Sequence, residues 1–308
     1  MKSGFGGFNK LSSISNGKST AIDSFGTLQN AILSIVGDST TAQIFTTLVP
    51  STLSVESNNA VGRWDPLYST YSNTHLTQSV QASKPALNAS FSLGKYAGVR
   101  GVAQRLQQAN NAGSTAIYRT FILYYRLAAV GTQNDMFQHT YIQGAIPQFN
   151  PSVSPYNTSN TNFNISYNVS AGNKSANTYW FGNTSVMFGA TTTNAFRVLE
   201  MYIDTTNRTG SFAWYDSNKA LIGANPAIFP GTQTINKSSF TFTSASIATP
   251  NSQWDTIFPG GSQPAKITLM GAGAGNDTTY HAVICVDKQL TAAQIQSIKT
   301  LLDKAYGA

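Results

Sequence analysis

Charge is scarce in this sequence. Of 308 residues, 19 are Lys or Arg and 12 are Asp or Glu, so charged residues make up 10% of the chain, where an ordinary soluble domain carries about 25%. Asn, Ser, Thr and Gln take their place, which points to a β-rich extracellular or virion protein and away from a cytosolic helical enzyme. The net charge of +7 is spread thinly; only the extreme N-terminus is locally basic, with Lys2, Lys10 and Lys18 ahead of the first acid, Asp23. No dense basic stripe with interleaved aromatics exists, which excludes specific nucleic-acid binding, while an acidic partner for the first twenty residues stays open. Cys285 is the single cysteine, so an intramolecular disulfide framework is excluded. It sits in His281-Ala-Val-Ile-Cys-Val286, an apolar run that reads as a buried strand without the basic neighbour or helix start that activates a thiol. No segment approaches the roughly 18 apolar residues of a membrane span. Met1 to Phe8 contains no continuous apolar stretch, so no signal peptide is expected there. A chain of this kind that works outside cells arrives assembled on something else, and a virion fits.

What is present suits a large β domain. Hydrophobic residues reach 41% and aromatics 11%, ample for a packed core in one large domain. Residues 1–20 are rich in Gly, Ser and Lys without periodicity and read as an arm. The spacing of Leu28, Ile32 and Ile35 predicts a short helix closed by Gly37; Asp38 then caps a second, with Ile44 and Leu48 on one face and Pro50 as its stop. From Trp64 onward the pattern is strands and turns. Strands are expected over 117–126, 136–146, 185–188, 196–203, 211–215, 239–242 and 266–270, with a long polar loop from Pro147 to Asn177 in which 162–169 alternates like a further strand. Thr291 and Gln294 form a Thr-x-x-Gln capping box ahead of Ile295, Ile298 and Leu302, which predicts a C-terminal helix.

Three segments, in order, resemble the concanavalin A-like jelly-roll superfamily, in particular the laminin-G-like modules of phage structural proteins. The first is Gly62-Arg-Trp-Asp65 followed by His75-Leu-Thr-Gln-Ser and Lys84-Pro-Ala-Leu87. The second is Phe196 to Asp204, then Gly210 to Asp216 and Lys219-Ala-Leu-Ile, similar to a family hairpin with a displayed turn. The third, His281 to Ile295, resembles the closing strand and its helix. Asp216-Ser-Asn218 stands where many such modules carry Asn-Gly, a change that turn geometry tolerates. The resemblance implies a mainly β fold, a two-sheet antiparallel jelly-roll sandwich over residues 61–308 with a C-terminal helix. Residues 1–60, the arm and short helices, form an attachment and oligomerisation segment. It implies a virion structural protein (capsid decoration, tail or fibre component) displaying a lectin-like domain on the particle surface for adhesion to host glycans. A purely architectural virion protein and a polysaccharide depolymerase are the alternatives. The expected partners are other virion proteins through residues 1–60, further copies of the chain and host-surface glycans, with no nucleic acid and no membrane span.

Catalytic patterns are missing, and the chain is read as not an enzyme. A glucanase of this superfamily presents clustered carboxylates, whereas Glu200 and Asp204 stand roughly 13 Å apart along one strand, too far for the about 5 Å of a retaining pair or the about 6.5–9.5 Å of an inverting one. Glu200 reads instead as a solvent-facing or loop-bonded carboxylate. His75, His139 and His281 are isolated and lack zinc spacing. Gly271-Ala-Gly-Ala-Gly275 leads into a strand rather than a helix, so it is a turn and not a phosphate cradle. No cofactor is expected apart from calcium, which laminin-G-like modules hold through loop carboxylates; Asp65, Asp135, Asp216 and Asp277 are the candidate ligands. For a glycan, Tyr179, Trp180, Trp254 and Asp255 adjoin polar loops and could stack on a sugar ring, while Trp64 and Trp214 fall in strand-like segments and read as core.

Overall fold

The structure, a computed structural model, describes residues 25–37, 42–70, 74–88, 98–102, 104–108, 120–129, 136–143, 146–149, 152–156, 162–167, 177–181, 194–204, 209–220, 239–241, 265–270 and 277–306. Among these residues nine strands form one antiparallel sheet and ten a second. The first sheet runs β17 (Ser239–Thr241), β16 (Thr209–Tyr215), β15 (Ala195–Asp204), β9 (Thr120–Ala129), β19 (Asp277–Val286), β1 (Ala42–Thr46) and β4 (Tyr68–Ser69). Off that path β7 (Gly98–Gly101) pairs with β19 and with β6 (Ala86–Asn88). The second sheet runs β14 (Asn177–Phe181), β13 (Asn162–Tyr167), β12 (Ser152–Tyr156), β10 (Phe137–Gln143), β18 (Ala265–Leu269), β8 (Leu106–Gln108), β5 (Leu76–Thr77), β3 (Val61–Trp64) and β2 (Leu53–Val55), and β11 (Ile146–Phe149) pairs with β10. The helices are α1 (Phe25–Val36) and α2 (Ala292–Tyr306). None of the described helices is long and apolar enough to cross a membrane.

The layering follows from which strands are buried twice. The near-continuous apolar runs of β9 and β19 lie at the centre of the first sheet and are covered on both faces. On one face Ile122, Tyr124, Ala282 and Ile284 pack with Leu28 and Ile32 of α1 and Ile295, Ile298 and Leu302 of α2. The opposite face meets the second sheet, where Phe121 packs on Phe137 (ring centroids 5.0 Å apart) and Phe45 meets Trp64 edge-on at 5.8 Å. Each such side chain contributes about 1.5–3 kcal/mol by leaving water. Trp64 and Trp214 are both fully buried, as the strand pattern predicts. One polar bridge crosses this core. Gln108 Nε2 donates to Gln43 Oε1 (2.9 Å) and to the Thr74 carbonyl (2.6 Å), and its own Oε1 accepts from Ile267 N (3.0 Å); those bonds offset the cost of burying an amide.

The capping box is made as read: Gln294 N donates to Thr291 Oγ1 (3.2 Å) and Thr291 N to Gln294 Oε1 (2.9 Å), worth about 1 kcal/mol to the start of α2. The end of α2 is pinned by Tyr306, whose hydroxyl donates to the His281 carbonyl, accepts from Thr47 N (3.2 Å) and lies 2.8 Å from Thr46 Oγ1. His281 is the bulged residue of β19, because Tyr280 and Ala282 face the consecutive residues Tyr125 and Tyr124.

Two local expectations are corrected. Residues 42–46 are not a second helix but strand β1, buried throughout and paired over five residues with β19; long-range pairing outweighs the local helical spacing of Ile44 and Leu48. Both α1 and β1 pack in the sandwich. The polar stretch from Pro147 to Asn177 is not a single loop but contains β12 as well as β13. The strand expected over 185–188 lies outside the described residues.

Candidate functional site

Register across the second sheet separates its two faces cleanly. Leu106, Leu269, Phe137, Val153, Ile165 and Tyr179 form one row over six neighbouring strands, and Leu106, Leu269 and Phe137 are fully buried, so this row belongs to the core face. One position along each strand, a second row runs through nine strands: Ser54, Arg63, Thr77, Gln107, Thr268, Gln138, Ser152, Ser166 and Thr178. Alternation places that row on the opposite face, in agreement with the exposure of Ser54 and Arg63 and the partial exposure of Thr77 and Gln107. Every member carries a hydroxyl or an amide except Arg63, and no carboxylate occurs in it. Arg63 is neutralised by Asp65, with Nε 2.8 Å and Nη2 2.7 Å from Oδ1.

At the β12–β13–β14 end of this sheet the register pairs Val153 with Ile165 and Ile165 with Tyr179, and Ser154 with Asn164 and Asn164 with Trp180. Near the middle of the sheet Thr268 is only 7% exposed, and its hydroxyl has no hydrogen-bond partner. Such a group costs free energy until something bonds to it.

Of the residues singled out for a glycan, Tyr179 and Trp180 lie in β14, in register with Ile165 and Asn164 of β13. Trp254 and Asp255 lie outside the described residues, as does Asp135. The other calcium candidates are apart from one another and individually engaged. Asp65 pairs with Arg63. Asp277 takes both prongs of Arg100, at 2.7 and 2.6 Å, tying β19 to β7. Asp216 Oδ1 accepts from Asn218 N (2.8 Å) and Ala220 N (2.9 Å) and so closes the β16 hairpin tip, with Lys219 in the left-handed region at φ 58°. Among the described residues no three His, Cys, Asp or Glu side chains stand together as metal ligands would.

Of the two positions expected for Glu200, solvent-facing or loop-bonded, the structure has the second: it is 3% exposed, with Oε1 3.0 Å from Nζ of Lys219 in the turn after β16. Lys219 also donates to the Leu290 carbonyl ahead of α2 and stands 5.7 Å from the centre of the Tyr215 ring. Burial next to the Glu200 charge raises the Tyr215 pKa. This cluster joins the hairpin tip to the approach of the C-terminal helix. The polar row itself escapes sequence reading because its members come from short strands scattered between residues 54 and 268; the one available signal is a polar residue beside each buried apolar one.

No protein-family model matches the chain, and no curated protein matches it in sequence. Solved structures with a similar course of strands include a sialidase of Trypanosoma rangeli in complex with sialic acid (12% identity, TM-score 0.42, covering 85% of this chain and 32% of that one). A GH54 a-l-arabinofuranosidase matches at 12% identity and TM-score 0.43, over 80% of this chain and 51% of the other. The CBM2 module of the evolved Dit of Lactobacillus casei phage J-1 matches at 9% identity and TM-score 0.35, over 82% and 99%. The chain thus spans about a third to a half of the two enzymes. The two-sheet antiparallel sandwich with a C-terminal helix is seen in the structure itself, and likenesses this low say nothing about substrates. They do correct the reading of the chain as not an enzyme: two of these three structures are glycosidases, so the exclusion of catalysis does not follow from the sandwich and is withdrawn.

Proposed function

We propose that this chain is a glycan-binding sandwich of the laminin-G-like type, carried on a virion as a decoration, tail or fibre component, self-associated and held to its neighbours through the N-terminal region within residues 1–60. The observation that supports glycan binding is the outer face of the ten-stranded sheet. It carries the exposed Ser54 and the partly exposed Thr77 and Gln107 in one register row, and Trp180 lies in β14, the edge strand of the same sheet. A polyhydroxylated ligand is held by just these two means, hydrogen bonds to neutral polar groups and an aromatic ring under the apolar face of a sugar. The low charge of the chain and its resemblance to phage modules support the virion setting.

The test is a glycan array probed with the full chain, with and without calcium, and with release of reducing ends measured on every glycan that binds. Saturable binding that falls about tenfold or more in Trp180→Ala, at an unchanged melting temperature, is the expected result. Binding to no glycan under either condition overturns the reading in favour of a purely architectural role.

A further inference from the structure

The second sheet ends at β2, a strand with a partner on one side only. Resting on the self-association proposed above for residues 1–60, we infer that β2 (Leu53–Val55) is the contact. Two copies of the chain pair through this strand, antiparallel, about a twofold axis at Ser54.

Backbone alternation shows which groups of β2 are open. The Thr52 carbonyl accepts from Asp65 N (2.7 Å) and Glu56 N donates to the Ala60 carbonyl (2.9 Å), both on the β3 side. Ser54, midway between them, is in register with Arg63 of β3, and the Glu56 bond shows that the alternation persists past the irregularity between Ser54 and Val55. The even-numbered residues therefore use their backbone groups on β3, and Leu53 and Val55 turn theirs outward. Among the described residues no strand lies on that outer side. An edge of this kind is complementary to its own copy: Leu53 of one copy faces Val55 of the other, each such pair exchanges two hydrogen bonds, and Ser54 meets Ser54 between them. The side chains permit the approach. β2 carries no lysine, proline or inward charge of the sort that keeps sheet edges apart; Ser54 is exposed and Val55 is 38% exposed. Val80, 58% exposed, stands at the same corner, because Gln81 beside it and Glu56 beside Val55 share the Lys84 ammonium. The charges flanking β2 are matched within each copy, Lys84 by Glu56 and Arg63 by Asp65, so no unmatched like charges face each other when two identical edges meet.

Sedimentation velocity on the full chain between about 1 and about 300 μM tests this, a range suited to the weak association that a short edge supports. The mass should rise from one chain to two across that range. Val55→Pro removes an outward N–H and leaves the bonds of β2 to β3 in place, a change that edge strands tolerate. It deletes two hydrogen bonds from the dimer, one per copy, and should raise the dissociation constant about tenfold or more, with the melting temperature at the lowest concentration unchanged. Ser54→Cys gives the positive test. Antiparallel partners that are not hydrogen-bonded to each other stand about 4.5 Å apart at Cα, within disulfide reach, so mild oxidation should link two copies at position 54. The native Cys285 is fully buried and does not compete. An oligomer that survives Val55→Pro and yields no disulfide at position 54 overturns pairing through β2 and leaves self-association through another surface standing. Species of steadily growing size, dispersed by Val55→Pro, overturn the twofold in favour of head-to-tail pairing between β2 and β14, the opposite edge of the sheet. A single-chain mass at every concentration overturns self-association itself.

Discussion

Removing the positive charge of Lys219 should destabilise the sandwich far more than removing the negative charge it neutralises. Lys219 Nζ is 3.0 Å from Oε1 of Glu200, a carboxylate that is 3% exposed. In Lys219→Met the Glu200 charge stays in the interior without its partner, a change that costs about 3–5 kcal/mol when a buried pair is broken. A chain of 308 residues unfolds with an entropy of about 0.65 kcal/mol/K, so the loss corresponds to a fall of about 5–8 °C in melting temperature. Glu200→Gln, which discharges the buried partner, should cost about half as much or less, because only the charge-assisted contact is lost. The double variant Glu200→Gln with Lys219→Met removes both charges and should recover most of the stability of the parent. Differential scanning calorimetry on the four proteins gives the cycle. A Lys219→Met melting temperature within about 1 °C of the parent, or a double variant as unstable as the two single losses summed, would refute the reasoning. It would mean that the carboxylate is solvated and that the hairpin tip is not held to the approach of α2 by charge.

Three further outcomes follow from the core. Burial pushes the hydroxyls of Tyr124, Tyr125 and Tyr280 above the ordinary tyrosine value and that of Tyr306 up to about 12. The folded state therefore holds these protons longer than the unfolded chain, and their contribution is complete below pH about 10 and lost as pH rises toward the folded values, at up to about 1.4 kcal/mol per pH unit for each group. Denaturant titrations between pH 8.5 and 11.5 should show a steep decline, made shallower in Tyr306→Phe; constant stability across that range contradicts the burial argument. Gly98→Ala should destabilise by about 1–3 kcal/mol, since an added Cβ would meet Thr279 Cγ2 at 2.2 Å and His281 Cε1 at 3.0 Å; an unchanged urea midpoint would show that β7 can shift away. Burial also raises the Cys285 thiol well above its usual value, so the thiol should resist an aromatic disulfide reagent in the native protein and react at once in denaturant. Rapid native labelling would show that the centre of the first sheet opens.

Much of this protein was legible in one dimension. The C-terminal helix announces itself through Thr291, Gln294 and the Ile295-Ile298-Leu302 spacing, and α1 through Leu28 and Ile32, because capping and amphipathic periodicity are local properties. The two-sheet sandwich was equally readable from strands rich in β-branched and aromatic residues, and the burial of Trp64, Trp214 and Cys285 follows from their strand-like surroundings. Tertiary structure decided the rest. Whether residues 42–46 become helix or strand depends on β19, about 240 residues further on. Whether Glu200 meets water depends on Lys219, which a hairpin turn brings back beside it. The same holds for the polar row, whose nine members are adjacent only after nine strands have paired. Sequence determines which residues favour a strand and which side of it each one takes; only pairing between distant segments determines what lies beside them.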